Sequence, residues 1–249
     1  MRSFDHERPA QPVMGPPWRI ILNTVLIFFI SQAIALAMVS LVHGFIYPDK
    51  SLNLIDSVSN QFFYILIAEI LAAGLAIKLV RVRKLSLAVI GLGRRPIPKD
   101  LLMAAGGFLV FFGLAFVTAV VINILDPNFN DQKQNLGFKN INSGPEKLIA
   151  FVSLVLLPPI GEEILVRGYF FSGLRKAWRF WPAALVTSFI FGLAHLELGS
   201  AGPLVWAAGV NTFLLSVVLC FLRERTGALY AGMLVHLTNN LIAFGVYFK

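Results

Sequence analysis

Long apolar segments alternate with short polar connections along the chain. Seven such segments run over roughly 20–46, 61–80, 101–125, 148–170, 181–197, 204–222 and 228–248. A helix needs about 20 mostly apolar residues to cross the hydrocarbon core of a bilayer. The pattern therefore predicts an all-α, polytopic membrane protein. We expect about seven transmembrane helices, or eight if a half-inserted segment is present.

The chain divides into three parts by the distribution of these segments. Residues 1–17 form a polar, proline-rich N-terminal tail, 18–144 hold the first three predicted transmembrane helices, and 145–249 hold the others. The first apolar segment is too long for a signal peptide and lacks a clear cleavage site of small residues. We therefore expect it to remain as the first transmembrane helix.

The composition agrees with a bilayer as the solvent. Hydrophobic residues make up 57% of the chain and charged residues 14%, whereas a soluble domain carries about 25% charged residues. The mean hydropathy is +0.75. The single cysteine, Cys220, excludes an intramolecular disulfide and a cysteine-rich zinc cluster.

The charge pattern predicts how the chain is oriented in the membrane and does not indicate nucleic-acid binding. The net charge of +8 comes from Lys and Arg in the polar connections, and most of them fall on one side if the N-terminus is cytoplasmic. The sequence thus predicts an integral membrane protein with its N-terminus in the cytoplasm and the lipid bilayer as a partner. Short loops and the absence of soluble extensions favour a bacterial plasma (inner) membrane.

Two adjacent glutamates follow a double proline in the fourth apolar segment, in the stretch PPIGEEILVRG. Glu163 and Arg167 are four residues apart and share a helix face, so we predict a structural ion pair. Glu162 points about 100° away around the helix and has no basic residue at that spacing. It must therefore meet water, a proton or another helix. The prolines free backbone carbonyls, which are tolerated at membrane depth where they are packed in protein or line a wet cavity.

Further polar residues lie inside other apolar segments. His195 ends the stretch FGLAH, and His236 begins HLTNN, which places Asn240 on its helix face. A lone intramembrane histidine is usually a hydrogen-bonding partner between helices. From the rise of about 1.5 Å per residue, however, Glu162, His195 and His236 can all meet near mid-membrane. Glu69 in the second segment is interpreted as a hydrogen-bonded or protonated carboxyl that packs against another helix.

Such a cluster supports hydrolysis in two ways. In the first, two imidazoles and a carboxylate hold zinc with an open position for water. In the second, the carboxylate activates water without a metal, while His and Asn stabilise the oxyanion. The residues themselves leave both mechanisms open.

The three motifs EEILVR, FGLAH and HLTNN, in this order and on separate segments, resemble the CAAX protease and bacteriocin-processing (CPBP, or Abi) family, which includes type II CAAX prenyl endopeptidases. The resemblance covers roughly residues 145–248 and implies an intramembrane protease, commonly labelled a metalloprotease, with its active site inside the helix bundle. Residues 145–249 would form the catalytic helix bundle.

The resemblance also implies roles for individual residues. Glu162 would activate water with His195 as its partner, and His236 and Asn240 would stabilise the oxyanion. If zinc is the cofactor, Glu162, His195 and His236 would be its ligands. A metal-free glutamate mechanism is equally consistent with the motifs. The substrate would be a membrane-bound peptide or lipidated protein, either a prenylated CAAX-like tail or a bacteriocin-type leader.

Two other functions are compatible with the sequence. A non-catalytic immunity or scaffold protein of the same fold would not need Glu162. A proton-coupled transporter could use the buried glutamates and histidines, but the chain shows no repeated halves, which many transporters have. The intact motif residues favour the protease.

Overall fold

The computed structural model describes residues 14–49, 51–52, 54, 57–125, 138, 141, 143–198 and 204–248. Most of the predicted tail 1–17 therefore lies outside the described residues. The helices are α1 (Pro17–Ile46), α2 (Val58–Val82), α3 (Pro98–Leu125), α4 (Gly144–Ala177), α5 (Phe180–Leu193), α6 (Trp206–Thr226) and α7 (Tyr230–Tyr247). A 3₁₀ turn (Leu87–Ile90) precedes α3, and a small antiparallel pair, β1 (Glu197–Leu198) and β2 (Leu204–Val205), joins α5 to α6.

Several helices begin at residues that satisfy the free N–H groups of a first turn. Pro17 occupies the first position of α1, where a missing N–H costs nothing. The Ser57 hydroxyl accepts a hydrogen bond from the Asn60 backbone N–H at the start of α2. Ser143 and Glu146 form a reciprocal capping box before α4. These local signals fix where the long apolar segments become helical.

Helix α4 is the central element of the bundle. Half of its most apolar 18-residue window is buried inside the protein, against 6% for α3. Its α-helical hydrogen bonding gives way to wider π-helical turns at Val152–Leu156 and Glu163–Phe171, on either side of the double proline. Such π turns are rare and frequently occur at functional sites. The break thus places an irregular backbone in the middle of the bundle.

Two apolar clusters hold the other helices around α4. The larger joins α1, α2, α4 and α5 and includes Ile20, Ala76, Tyr169, Phe170 and Phe180. The smaller joins α3, α6 and α7 and includes Ala104, Phe111, Leu219, Leu222 and Val235. Small residues allow close contact between helices. A Cβ at Gly173 of α4, for example, would lie 2.8 Å from the Ile20 side chain of α1.

The prediction of an all-α polytopic membrane protein is confirmed, but the predicted spans need correction. Among the described residues, five helices are long and apolar enough to cross a membrane: α1, α2, α3, α4 and α6. Helix α5 has 14 residues, about 21 Å at the rise of an α-helix. It ends at Leu193, whereas the predicted segment ran to residue 197, so His195 lies in the turn after the helix and not within it. Helix α7 carries His236 and two asparagines, which lower its apolarity.

An ion pair next to α3 provides a test of this packing. Asp100, with a side chain only 2% exposed, accepts hydrogen bonds from the Arg94 guanidinium at 2.7 and 2.6 Å and from the Ile97 N–H at 2.9 Å. We expect Asp100→Asn to lower the free energy of unfolding by about 1–3 kcal/mol, measured as a fall in Tm. The neighbouring exposed Lys99 is the control, since Lys99→Gln should change stability by less than about 0.5 kcal/mol. Equal Tm values for the two variants would contradict this packing.

Candidate active site

Glu162 lies at the point where the double proline interrupts α4. Pro158 has no N–H, so the Leu154 carbonyl loses its usual helical donor. The Asn240 side chain of α7 supplies the missing donor, with its Nδ2 3.0 Å from the Leu154 oxygen. Asn240 therefore ties α7 to the break in α4, and one of its two amide N–H groups remains for another acceptor.

The Glu162 carboxyl faces His236 without a hydrogen bond between them. Glu162 Oε2 and His236 Nε2 are 3.7 Å apart. The Glu162 side chain is 23% exposed, yet Oε2 itself is buried and has no hydrogen-bond partner in the structure. A buried carboxylate oxygen without a partner is costly and is normally bridged by water. This oxygen is thus the unpaired acceptor of the site, and it lies beside His236.

His236 is oriented by a buried ion pair. Glu163 Oε1 accepts a hydrogen bond from Arg167 Nη1 at 2.8 Å and lies 3.2 Å from His236 Nδ1. The Glu163 and Arg167 side chains are 1% and 0% exposed, and the guanidinium lies 4.4 Å above the Phe191 ring. Because a carboxylate can only accept, His236 carries a proton on Nδ1. Its Nε2 then faces Glu162.

His195, in the turn after α5, lines the same two cavities as Glu162. Its Nδ1 lies 2.9 Å from the Phe191 carbonyl oxygen, so Nδ1 is the donor and Nε2 is free to accept. The Phe191 ring lies between the two histidines, with its centre 4.6 Å from that of His195 and 6.3 Å from that of His236. An apolar wall thereby holds both imidazoles near Glu162.

Two cavities meet at Glu162 and His195. The larger, about 470 Å³, is bounded by α1, α2, α4 and α5 and is mostly apolar. The smaller, about 210 Å³, lies between α4, α6 and α7 and is lined by His236 and Asn240. Glu162 and His195 line both cavities. A chain that passes through both would place a peptide bond beside the Glu162 carboxyl.

Among the described residues, no three His, Cys, Asp or Glu side chains converge closely enough to hold an ion. The Nδ1 atoms of His236 and His195 face the Glu163 carboxylate and the Phe191 carbonyl, an orientation that leaves both Nε2 atoms available as ligands or as bases. The structure therefore brings Glu162, His236 and Asn240 together as a set of acid–base and hydrogen-bonding groups.

The sequence motifs did not predict two of the contacts at the candidate site. Glu69 of α2 lines the larger cavity with Glu162, and its carboxyl packs against Gly161. The Leu154 carbonyl binds Asn240. For Glu69, the available signal in the sequence was an ionisable residue inside an apolar segment, which is rare in membrane proteins and usually functional.

Comparison with known proteins finds similarity in the second half of the chain. The family described as Type II CAAX prenyl endopeptidase Rce1-like matches residues 144–242. An uncharacterized 24.3 kDa protein of Escherichia coli is 28% identical over 95 residues, which are 37% of this chain and 42% of that protein. The chain thus aligns with less than half the length of this relative. No solved structure matches the chain.

Proposed function

Because residues 144–242 match the family of Rce1-like type II CAAX prenyl endopeptidases, we propose that the chain is an intramembrane endopeptidase in which Glu162 activates water. The family is one of proteases, and the apolar helices make the chain an integral membrane protein. The observation that supports the catalytic role is the buried, unpartnered Oε2 of Glu162, located between two cavities and beside an oriented histidine.

The first step of the proposed reaction is the addition of water to the peptide carbonyl. The Glu162 carboxylate takes a proton from water, and the oxygen adds to the carbonyl carbon while the electron pair moves to the carbonyl oxygen. The free Nε2 of His195 accepts the second hydrogen bond of the water and orients it.

The oxyanion is stabilised by groups on α7. The remaining amide N–H of Asn240 donates to it, as does His236 Nε2–H when the imidazole is protonated. Glu163 Oε1 lies 3.2 Å from Nδ1 and holds the His236 ring in this orientation. The proton held by Glu162 then passes to the leaving nitrogen as the C–N bond breaks. No step requires a metal.

Asn240 provides a test of the oxyanion assignment. We expect Asn240→Ala to lower kcat by about 10²–10³-fold, the usual effect of one oxyanion donor, with a smaller change in KM. Thr238→Ala is the matched control, since the Thr238 hydroxyl bonds to Leu234 O within its own helix and is exposed. Steady-state kinetics of both variants checks this. Equal kcat values for Asn240→Ala and wild type would remove Asn240 from the mechanism.

The substrate we propose is a membrane-associated peptide that enters the apolar cavity. The chemistry at Glu162 suits both a prenylated CAAX-like tail and an unprenylated leader peptide. Purified protein in lipid nanodiscs should be incubated with one tethered peptide of each class, and the products identified by mass spectrometry. Cleavage of either peptide at a single bond supports the proposal and selects the class. Cleavage of neither would favour the alternative, a non-catalytic membrane protein of the same fold.

A further inference from the structure

Glu69 contacts the backbone of α4 immediately before Glu162. A Cβ added at Gly161 would fall on Glu69 Oε2 and would lie 3.0 Å from both Glu69 Cβ and Glu69 Cδ. The absence of a side chain at Gly161 thus lets a carboxyl from α2 rest against α4. Glu69 belongs to α2, which lies outside the matched range 144–242.

The carboxyls of Glu69 and Glu162 share one environment. Both line the 470 Å³ cavity, and they interact electrostatically with each other. The described residues that line this cavity include no Lys or Arg, and His195 is the one basic side chain there. On the other side of Glu162, His236 Nε2 lies 3.7 Å from Oε2. Within the cavity, two charged carboxylates repel each other, whereas a pair that holds one proton forms a short, strong hydrogen bond.

We propose that Glu69 is a positioning residue for Glu162. It donates a carboxyl O–H to the Glu162 carboxylate and so fixes the direction in which Glu162 presents Oε2 to water. The proton stays on Glu69 through the reaction, while Glu162 exchanges a different proton with water. This inference rests on the proposed function of Glu162 and extends it to the first half of the chain, because the general base is oriented by a helix that the family match does not include.

The first test shows whether Glu69 orients Glu162 through a hydrogen bond or only fills space beside it. Glu69→Gln keeps a donor of the same size, and Glu69→Ala removes it. We expect Glu69→Ala to lower kcat by about 10²-fold, as a displaced catalytic group does, with KM nearly unchanged. Glu69→Gln should recover most of kcat. Equal losses in the two variants, or wild-type kcat in both, would overturn the inference.

A matched control comes from the same helix. The Tyr64 hydroxyl donates to Gln32 Oε1 and joins α2 to α1. Tyr64→Phe removes this half-buried interhelical bond near Glu69 and leaves Glu162 unchanged. Its kcat should stay at the wild-type value, so a loss that matches Glu69→Ala would show that any disturbance of α2 lowers activity and would overturn the positioning role.

The second test does not depend on catalysis. Thermal unfolding of Glu69→Ala, Glu162→Ala and the double variant should give Tm changes that are not additive, because the two side chains interact. Gly161→Ala should lower Tm in the wild type and have little effect in Glu69→Ala, where the space is vacant. Additive Tm changes in both experiments, Glu69→Ala with Glu162→Ala and Glu69→Ala with Gly161→Ala, would overturn the inference. If wild type cleaves no peptide although the changes are non-additive, the proposed function fails and the contact between the carboxyls stands.

Discussion

Replacing Glu162 by glutamine is expected to lower kcat for peptide hydrolysis by about 10²–10⁴-fold, the usual contribution of a general base. The amide keeps the size of the side chain but cannot take a proton from water. Because Glu162 Oε2 forms no hydrogen bond with the protein, the substitution should leave the fold intact. Single-turnover kinetics with excess enzyme over a tethered peptide measures the chemical step directly.

A second carboxylate serves as the control for this experiment. Glu224 pairs with Arg175 at 3.0 Å, and Glu224→Gln removes one negative charge away from both cavities. Its kcat should equal that of the wild type. Wild-type activity in Glu162→Gln would exclude Glu162 as the base, whatever the behaviour of Glu224→Gln.

Replacing Arg167 by methionine is expected to cause the largest loss of stability. Arg167 and Glu163 are both fully buried and 2.8 Å apart. Removal of one partner leaves a buried, uncompensated charge, which costs about 3–5 kcal/mol. Chemical or thermal unfolding in detergent measures this. The control is Arg175→Met, which breaks a half-buried pair whose side chains are 25% and 27% exposed and should cost about 1 kcal/mol or less.

A double variant separates stability from activity at this position. Glu163→Leu combined with Arg167→Met replaces the ion pair by apolar side chains, and such replacements are often neutral or stabilising. Stability should therefore recover relative to Arg167→Met. Activity should stay low, because His236 Nδ1 loses the Glu163 carboxylate that orients it. Full recovery of both would show that Glu163 has no part in orienting His236.

The sequence was sufficient for the parts of the fold that depend on local pattern. Apolar length alone placed most helix ends within about four residues of the observed ones, whereas α4 continues to Ala177, past the predicted end at 170. Helix ends are the least certain part of such predictions. The end of α5 was missed because His195 follows the last helical residue in a tight turn, with its N–H bonded to Gly192 O. An apolar segment gives no signal for such a turn.

Contacts between residues that are far apart in the sequence could not be predicted without the structure. The spacing of Glu163 and Arg167 is local, and a helix wheel shows that they can pair. The contact of Glu69 with Gly161 depends on how α2 packs against α4, and the bond from Asn240 to Leu154 depends on α7. The proline pair shows that a carbonyl is freed but not which side chain satisfies it.

Peptidase activity measured before and after chelation, with metal content determined on the same purified protein, tests the central claim most directly. Wild type and Glu162→Gln should be compared in nanodiscs on the tethered peptide that wild type cleaves. We predict that wild type remains active in the presence of chelator, contains no stoichiometric zinc and incorporates solvent oxygen into the new carboxyl group, while Glu162→Gln is inactive. Stoichiometric zinc, with activity lost on chelation and restored by zinc, would contradict a metal-free role for Glu162 and would make the histidines metal ligands.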